Sequence, residues 1–238
     1  RSGAFTFENV AAISSPEHMK ALLTALVLSL ISTVVCLALA YPLAMILAGR
    51  HVSQQSFIVL IFILPMWMNF LLRTLAWQTL LEKTGVINSV LSFFGLPTLN
   101  IINTPGAIIL GMVYNFLPFM VLPLYNALTK IDPNVINAAH DLGANWFQTF
   151  LRVIFPLSLP GVISGITMVF VPALTTFVIS NLLGGSKILL IGNVIEQEFT
   201  QASNWHLGSG LSIVLMVFIL INMLMTAIFD KNGEGTSL

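Results

Sequence analysis

Charged residues are confined to short segments of the chain, and long uncharged stretches lie between them. Five intervals contain no Asp, Glu, Lys, Arg or His, and these are 21–49, 52–72, 84–129, 153–186 and 207–229. Each can supply the roughly 20 apolar residues that a helix needs to cross about 30 Å of hydrocarbon. The pattern predicts an all-α, polytopic transmembrane helical bundle forming one domain over residues 1–238, with spans at 19–48, 56–81, 105–128, 152–182 and 207–229.

The third interval is too long for one helix, and its first part is expected to be a loop at the membrane interface. Residues 84–104 contain several Gly and Asn residues and a Pro, which is typical of loops. Pro105 suits the first turn of a helix, so the span is expected to begin there. The other connections are predicted to be a tight turn at 50–55 and an extended loop at 183–206.

Composition identifies lipid as the solvent. Of the 238 residues, 57% are hydrophobic and 8% are charged, whereas roughly 25% are charged in an ordinary soluble domain. Nine Lys and Arg balance nine Asp and Glu, so no net charge points to nucleic acid. The one cysteine, Cys36, excludes an internal disulfide and a cysteine-based metal cage. No metal site is predicted, because the histidines lie in four separate connections: His18, His51, His140 and His206.

The segment 130–152, between the third and fourth spans, predicts two short helices joined at an angle. Asp132 can cap the first helix and Pro133 can open it. Gly143 lies where a helix leaves through a left-handed turn, and Asn145 can cap the second helix.

Apolar residues recur at helical spacing in this segment: Val135, Ala138, Ala139, Leu142, Trp146, Phe147, Phe150 and Leu151. Spacing alone is compatible with a hairpin that lies on the membrane and with an element that docks into a partner. The small side chains of Ala138 and Ala139 favour docking, because they permit close approach of a partner backbone.

The same segment carries a family resemblance. The run from Asn137 to Gly143, followed by Val153-Ile-Phe-Pro156, resembles the EAA loop of ABC-importer permeases, which reads Glu-Ala-Ala, three residues, Gly, nine residues, Ile-x-Leu-Pro. The spacing matches throughout, and the departures are Asn137 for Glu, Val153 for Ile and Phe155 for Leu. The resemblance implies that residues 130–151 form a cytoplasmic coupling loop that contacts an ATPase. The coupling residues it implies are Asn137, Ala138, Ala139, His140, Asp141, Leu142, Gly143, Trp146 and Phe147.

Three further segments, 64–77, 117–125 and 183–195, resemble the first permease subunit of spermidine/putrescine importers. That family has six spans, so a further N-terminal helix is expected before residue 1. The resemblance also implies an orientation that the Lys and Arg positions leave undecided, with residues 1–18 outside. The expected partners are a second related permease, two copies of an ABC ATPase and an external polyamine-binding protein. The expected location is the bacterial plasma membrane.

No catalytic site is predicted on this chain. A phosphate-binding loop reads G-x-x-x-x-G-K-[ST], and the nearest sequence, 184–187, has Ser directly before Lys. Paired catalytic carboxylates are absent from the predicted spans. We therefore expect no cofactor on the chain itself, with ATP and magnesium bound by the partner ATPase.

The predicted spans contain no Asp or Glu, so the path is expected to hold a cation weakly and an external binding protein to select it. The candidates to line the path are Trp67, Asn69, Trp77, Tyr114, Asn115, Phe170 and Phe177. The aromatic members could equally be anchors at the membrane interface. Arg73 is expected to reach an outer group such as Glu82. Candidates for an external gate or a binding-protein contact are Glu196, Glu198 and Trp205, although this loop could also be an ordinary solvated connection.

The sequence thus predicts a polyamine importer permease that forms half of a translocation pathway. A related ABC permease for iron, thiamine or an anion is an alternative, and Arg73 suits an anion slightly better. A stand-alone secondary carrier is a further alternative. Against that carrier stand the absence of an acidic coupling residue within the spans and the absence of an inverted repeat.

Overall fold

The computed structural model describes residues 15–49, 64–185 and 187–234, with the side chains of residues 65 and 225–234 outside that description. Every regular element in these ranges is helical, which confirms the predicted all-α class. The helices are α1 Pro16–Ala48, α2 Phe70–Leu81, α3 Val86–Phe93, α4 Pro105–Thr129, α5 Pro133–Asp141, α6 Trp146–Thr149, α7 Phe155–Thr175, α8 Val178–Leu183, α9 Ile191–Thr200 and α10 Trp205–Glu234. A 3₁₀ turn, Leu64–Trp67, precedes α2, and a π-helical segment, Phe150–Ile154, joins α6 to α7.

Four helical stretches in the described ranges are long and apolar enough to cross a membrane. They are Pro16–Ala48, Pro105–Thr129, Trp146–Thr175 and Trp205–Leu224. The first, second and fourth of these fall on the predicted spans 19–48, 105–128 and 207–229.

The predicted span 56–81 is not one continuous helix. Its first part, 56–63, lies outside the described residues, and from Leu64 the chain makes a 3₁₀ turn before α2 starts at Phe70. The break is stabilised by Asn69, whose Oδ1 accepts hydrogen bonds from the backbone N–H groups of Leu71 at 2.8 Å and Leu72 at 3.3 Å. The 12 residues of α2 extend about 18 Å, which is shorter than the roughly 30 Å of a bilayer core.

The predicted span 152–182 does not coincide with one helix. The helical stretch begins at Trp146 and ends at Thr175, and α8 is a separate helix after two non-helical residues. The side chain of Asn193 helps to hold this break, because its Nδ2 donates to the Phe177 carbonyl at 3.1 Å and to Asn181 Oδ1 at 2.8 Å.

The two long connections contain folded structure. Residues 84–104, predicted as a loop, include α3, and residues 183–206 include α9. Asn88 closes the first connection: its Nδ2 donates to the carbonyls of Glu82 at 3.1 Å and Leu99 at 2.9 Å, and its Oδ1 accepts from Leu99 N–H at 2.7 Å.

Backbone contacts divide the chain into two compact units. Unit 1 is Arg1–Ser32, Asn69–Tyr114 and Phe170–Asn222, and unit 2 is Thr33–Met68, Asn115–Val169 and Met223–Leu238. Within unit 1, Gly111 of α4 lies against the side chains of Ile179 and Leu183 of α8, where an added Cβ would overlap them. Within unit 2, a Cβ on Gly161 would lie 2.7 Å from the Pro123 carbonyl oxygen. Small residues thus let helices of each unit approach closely, as is common in membrane proteins.

Candidate functional site

Residues 132–149 form a helix–turn–helix, referred to below as the 132–149 hairpin. Its first helix starts as predicted, because Asp132 Oδ1 accepts a hydrogen bond from Asn134 N–H at 2.9 Å and Pro133 occupies the first turn. Its second helix also starts as predicted. Asn145 Oδ1 accepts from Gln148 N–H at 2.9 Å, and Gln148 Oε1 accepts from Asn145 N–H at 3.0 Å. Both helix starts are therefore specified by short-range sequence signals.

Gly143 forms the turn between the two helices, with φ at +84°. Its N–H donates to the His140 carbonyl at 2.9 Å, and the next N–H, of Ala144, donates to the Ala139 carbonyl at 3.0 Å. A Cβ on Gly143 would meet nothing within 4 Å. Glycine is therefore required by the left-handed backbone and not by lack of space, which confirms the predicted turn.

The hairpin exposes apolar side chains. None of the residues of α5 is buried. Leu142 is 89% exposed, Trp146 64% and Phe147 61%. Exposed apolar groups in close sequence mark an interaction surface. All nine predicted coupling residues lie on this hairpin, and only Ala139 is as much as half-buried: Asn137, Ala138, Ala139, His140, Asp141, Leu142, Gly143, Trp146 and Phe147.

An aromatic cluster in unit 2 connects the base of the hairpin to α1 and α7. The rings of Trp146 and Phe150 are stacked, with centroids 5.7 Å apart and planes 9° apart. Phe150 meets Tyr41 edge to face at 5.5 Å. The Tyr41 hydroxyl lies 2.6 Å from Ser158 Oγ, a buried hydrogen bond. The second helix of the hairpin is thus held by packing contacts that lead to α1 and α7.

Two of the seven predicted path residues meet in unit 1. Trp77 and Tyr114 pack edge to face with ring centroids 5.1 Å apart. The guanidinium carbon of Arg73 lies 5.9 Å from the centre of the Tyr114 ring, which is within the range of a cation–π contact. Arg73 is buried, with 7% of its surface exposed.

The other predicted path residues have different surroundings. Asn69 is the cap of α2, and Asn115 is buried at 1% exposure. Trp67 is 77% exposed and Phe177 39%, while Phe170 is half-buried. Asn69 therefore has a structural role as a helix cap, and the exposed aromatic members of the set are Trp67, Tyr114 and Phe177.

The three outer-loop candidates lie on α9 and at the start of α10. Thr200 Oγ1 donates to the Glu196 carbonyl at 2.7 Å and lies 3.1 Å from Glu196 Oε1. The backbone carbonyl of Glu198 accepts from Asn204 N–H at 2.8 Å. Trp205 packs edge to face on Phe199, with centroids 5.4 Å apart. This segment is thus a folded helix and turn, where the sequence predicted an extended loop.

Sequence reasoning missed three buried polar positions that organise these regions: Asn88, Asn193 and Ser158. Asn193 joins the start of α9 to the break before α8, and its Oδ1 accepts from Leu190 N–H at 3.0 Å. The available signal was a lone polar residue within an apolar run, since a buried amide must find partners.

The described residues contain no group of three or more His, Cys, Asp or Glu side chains placed to hold a metal ion. Ser186, in the segment 184–187 that was compared with a phosphate-binding loop, lies outside the described residues. His51 also lies outside them.

Comparison with known proteins identifies similar chains and folds. Residues 40–232 match the profile of the family described as binding-protein-dependent transport system inner membrane component. The chain is 40% identical over 218 residues to the spermidine/putrescine transport system permease protein PotB of Haemophilus influenzae, covering 91% of the chain and 76% of the relative. It is 39% identical over 222 residues to the PotB protein of Escherichia coli, covering 92% and 81%.

A solved structure shares the fold. A bacterial ABC transporter involved in the import of the acidic polysaccharide alginate matches with a TM-score of 0.80 and 18% identity, covering 98% of the chain and 85% of that structure's chain.

Proposed function

Because the chain belongs to the family of binding-protein-dependent transport system inner membrane components, we propose that it is a permease subunit of an ATP-driven importer for polyamines such as spermidine and putrescine. It is a multi-pass protein of the inner membrane with an ABC permease fold. The polyamine class is supported by the relatives that share about two fifths of its residues over nine tenths of its length.

The complex that we propose contains a second related permease, two copies of an ABC ATPase and an external polyamine-binding protein. This chain forms half of the translocation pathway. In this proposal it carries no catalytic residue, nucleotide site or cofactor, and ATP and magnesium are bound by the ATPase.

The 132–149 hairpin carries the proposal for coupling. The hairpin is short and its helix starts are capped. Its base packs on the aromatic cluster of Trp146, Phe150 and Tyr41, so in this proposal a force applied to the hairpin is transmitted to α7. It also exposes Leu142, Trp146 and Phe147, which a groove on an ATPase could cover. We assign the coupling role to nine residues of the hairpin, 137–143, Trp146 and Phe147, and place them on the cytoplasmic side.

The mechanism in this proposal is alternating access. Closure of the ATPase dimer on ATP moves the hairpin, and the spans reopen toward the outside. Selection is made by the binding protein, whose contact or gate on this chain includes Glu196, Glu198 and Trp205. The exposed aromatic faces of the path attract ammonium groups without holding them tightly, and weak binding permits release.

The test is the energy source of transport in proteoliposomes that contain the whole complex and the external binding protein. We expect spermidine uptake to require ATP on the ATPase side and to continue when sodium and proton gradients are collapsed. Uptake by the permeases alone, driven by either gradient without an ATPase, would exclude the proposed function.

A further inference from the structure

A cavity of about 500 Å³ lies within unit 1, outside the hairpin and away from the Trp77–Tyr114 contact. Its walls come from the end of α7, from Phe177 and from facing sides of α9 and α10. This volume falls in the range of roughly 300–1,000 Å³ that small-molecule sites occupy.

One charged group faces this cavity. The cavity lining is largely apolar, and the described residues that form it include Glu196 but no Lys, Arg or His. The hydroxyl groups in the wall are directed to helix carbonyls, Thr175 Oγ1 to Val171 at 3.1 Å and Ser212 Oγ to Gly208 at 2.8 Å. A carboxylate accepts several hydrogen bonds, so Glu196 keeps acceptor capacity beyond its contact with Thr200. The cavity therefore favours a cation over an anion or a neutral polar ligand.

Two aromatic residues line the same cavity as Glu196. Phe177 and Phe199 both line the cavity. Gly208 allows the Phe199 ring to lie directly on α10, because an added Cβ would be 3.0–3.1 Å from three of its ring atoms. Ring faces attract ammonium groups, and apolar walls contact methylene groups. Together these features match an alkyl chain that ends in a primary ammonium.

We propose that this cavity is a transient subsite for one arm of a polyamine. The terminal ammonium binds Glu196 between Phe177 and Phe199, and the methylene chain lies against the apolar wall. The inference rests on the proposed function, which supplies the substrate class, and it assigns a site to that substrate. A polyamine carries more than one ammonium group, so a site with one carboxylate leaves part of its charge in water and holds it weakly.

The first measurement is the protection of an introduced thiol in the purified complex. Ser212→Cys places a thiol in the cavity wall, and Ser209→Cys places one on an exposed part of the same helix outside the cavity. Both are made in a Cys36→Ala background, which removes the one native cysteine of this chain, and labelling is measured on this chain after the subunits are separated. Spermidine should slow maleimide labelling of the Ser212→Cys variant, about tenfold at ten times the Kd, because protection scales with 1 + [L]/Kd. Labelling of the Ser209→Cys variant should not change.

The second measurement asks whether the carboxylate is responsible. Glu196→Gln should abolish protection in the Ser212→Cys background, whereas Glu82→Gln, the same change at an exposed carboxylate outside the cavity, should preserve it. Protection that survives Glu196→Gln overturns the subsite. Octyl glucoside that protects the Ser212→Cys thiol equally with and without Glu196→Gln also overturns the subsite. That result identifies the cavity as a pocket for neutral lipid.

Uptake by the unmodified complex separates this inference from the proposed function. If ATP-driven spermidine uptake occurs while spermidine gives no protection in the Ser212→Cys variant, the subsite is wrong and the function stands. If the complex with its binding protein and ATP takes up no polyamine, the proposed function fails and the subsite fails with it.

Discussion

The 132–149 hairpin and the α8–α9 segment both connect long helices, but they differ in where their side chains lie. The hairpin exposes apolar side chains, whereas the α8–α9 segment buries a polar one. The hairpin satisfies its backbone locally and leaves Leu142 at 89% exposure. The α8–α9 segment buries Asn193 at 1% exposure, and this side chain bonds to Phe177 and Asn181. The hairpin is therefore suited to be held by another protein, whereas the α8–α9 segment is held by its own contacts. Substitutions in the hairpin should impair coupling, and substitutions in the α8–α9 segment should impair stability.

Gly143→Val should have the largest effect on transport. A β-branched residue in a left-handed conformation costs about 1–2 kcal/mol, so the turn will adopt another shape. We expect spermidine uptake to be abolished and the ATPase to be lost on affinity purification, while membrane insertion is normal.

The matched control for this variant is Gly95→Val. Gly95 also has a positive φ, +69°, and a Cβ there also meets nothing within 4 Å, but it lies after α3. It should retain both uptake and ATPase. If both variants lose them equally, the effect is general backbone strain and not a property of the hairpin.

Leu142→Asp should weaken ATPase binding without unfolding the chain. Because the side chain is so exposed, the unfolding free energy should change by no more than about 0.5 kcal/mol. Loss of an apolar anchor should weaken ATPase binding about tenfold, or about 1.4 kcal/mol, as measured by titration of the ATPase onto the solubilised permease. Phe93→Asp is the control, since Phe93 is 85% exposed on α3. Equal weakening by both changes would contradict the assignment.

Asn193→Leu should produce the opposite pattern. The Phe177 carbonyl and the Leu190 N–H lose their partner, and each buried unpaired group costs about 1–3 kcal/mol. Thermal unfolding in detergent should show a lower Tm, while properly folded molecules still bind the ATPase. Asn100→Leu, at an exposed asparagine, is the control. An unchanged Tm in the Asn193 variant would show that this amide does not hold the segment.

Tyr41→Phe should have the smallest effect. It removes the hydroxyl that lies 2.6 Å from Ser158 Oγ but keeps the ring contact with Phe150. A double-mutant cycle with Ser158→Ala should give a coupling free energy of about 0.5–1.5 kcal/mol. Coupling indistinguishable from zero would show that this hydrogen bond does not stabilise the base of the hairpin.

The hairpin could be predicted from sequence because its signals are local. Asp132, Pro133, Gly143 and Asn145 each act within four residues, on helix ends that follow fixed rules. The all-α class and most spans could also be predicted, because uncharged length is sufficient evidence for them.

The rest of the site depends on contacts between distant residues. Asn193 reaches a carbonyl 16 residues away, and Tyr41 reaches a hydroxyl 117 residues away. The breaks at Asn69 and Phe177 lie inside apolar runs, where periodicity does not distinguish one helix from two. The residues that line the path cannot be predicted from the sequence either, because a helix that is apolar on every side does not show which face lines the path.

The proposed contact between the hairpin and an ATPase is tested most directly by cross-linking. Leu142→Cys and Phe93→Cys, each in a Cys36→Ala background, have side-chain positions of similar exposure. Each thiol is alkylated with benzophenone-maleimide before the ATPase is added, and the benzophenone is photolysed after the complex has assembled. We predict an adduct with the ATPase from Leu142→Cys and none from Phe93→Cys. An adduct from Phe93→Cys together with none from Leu142→Cys would contradict the account.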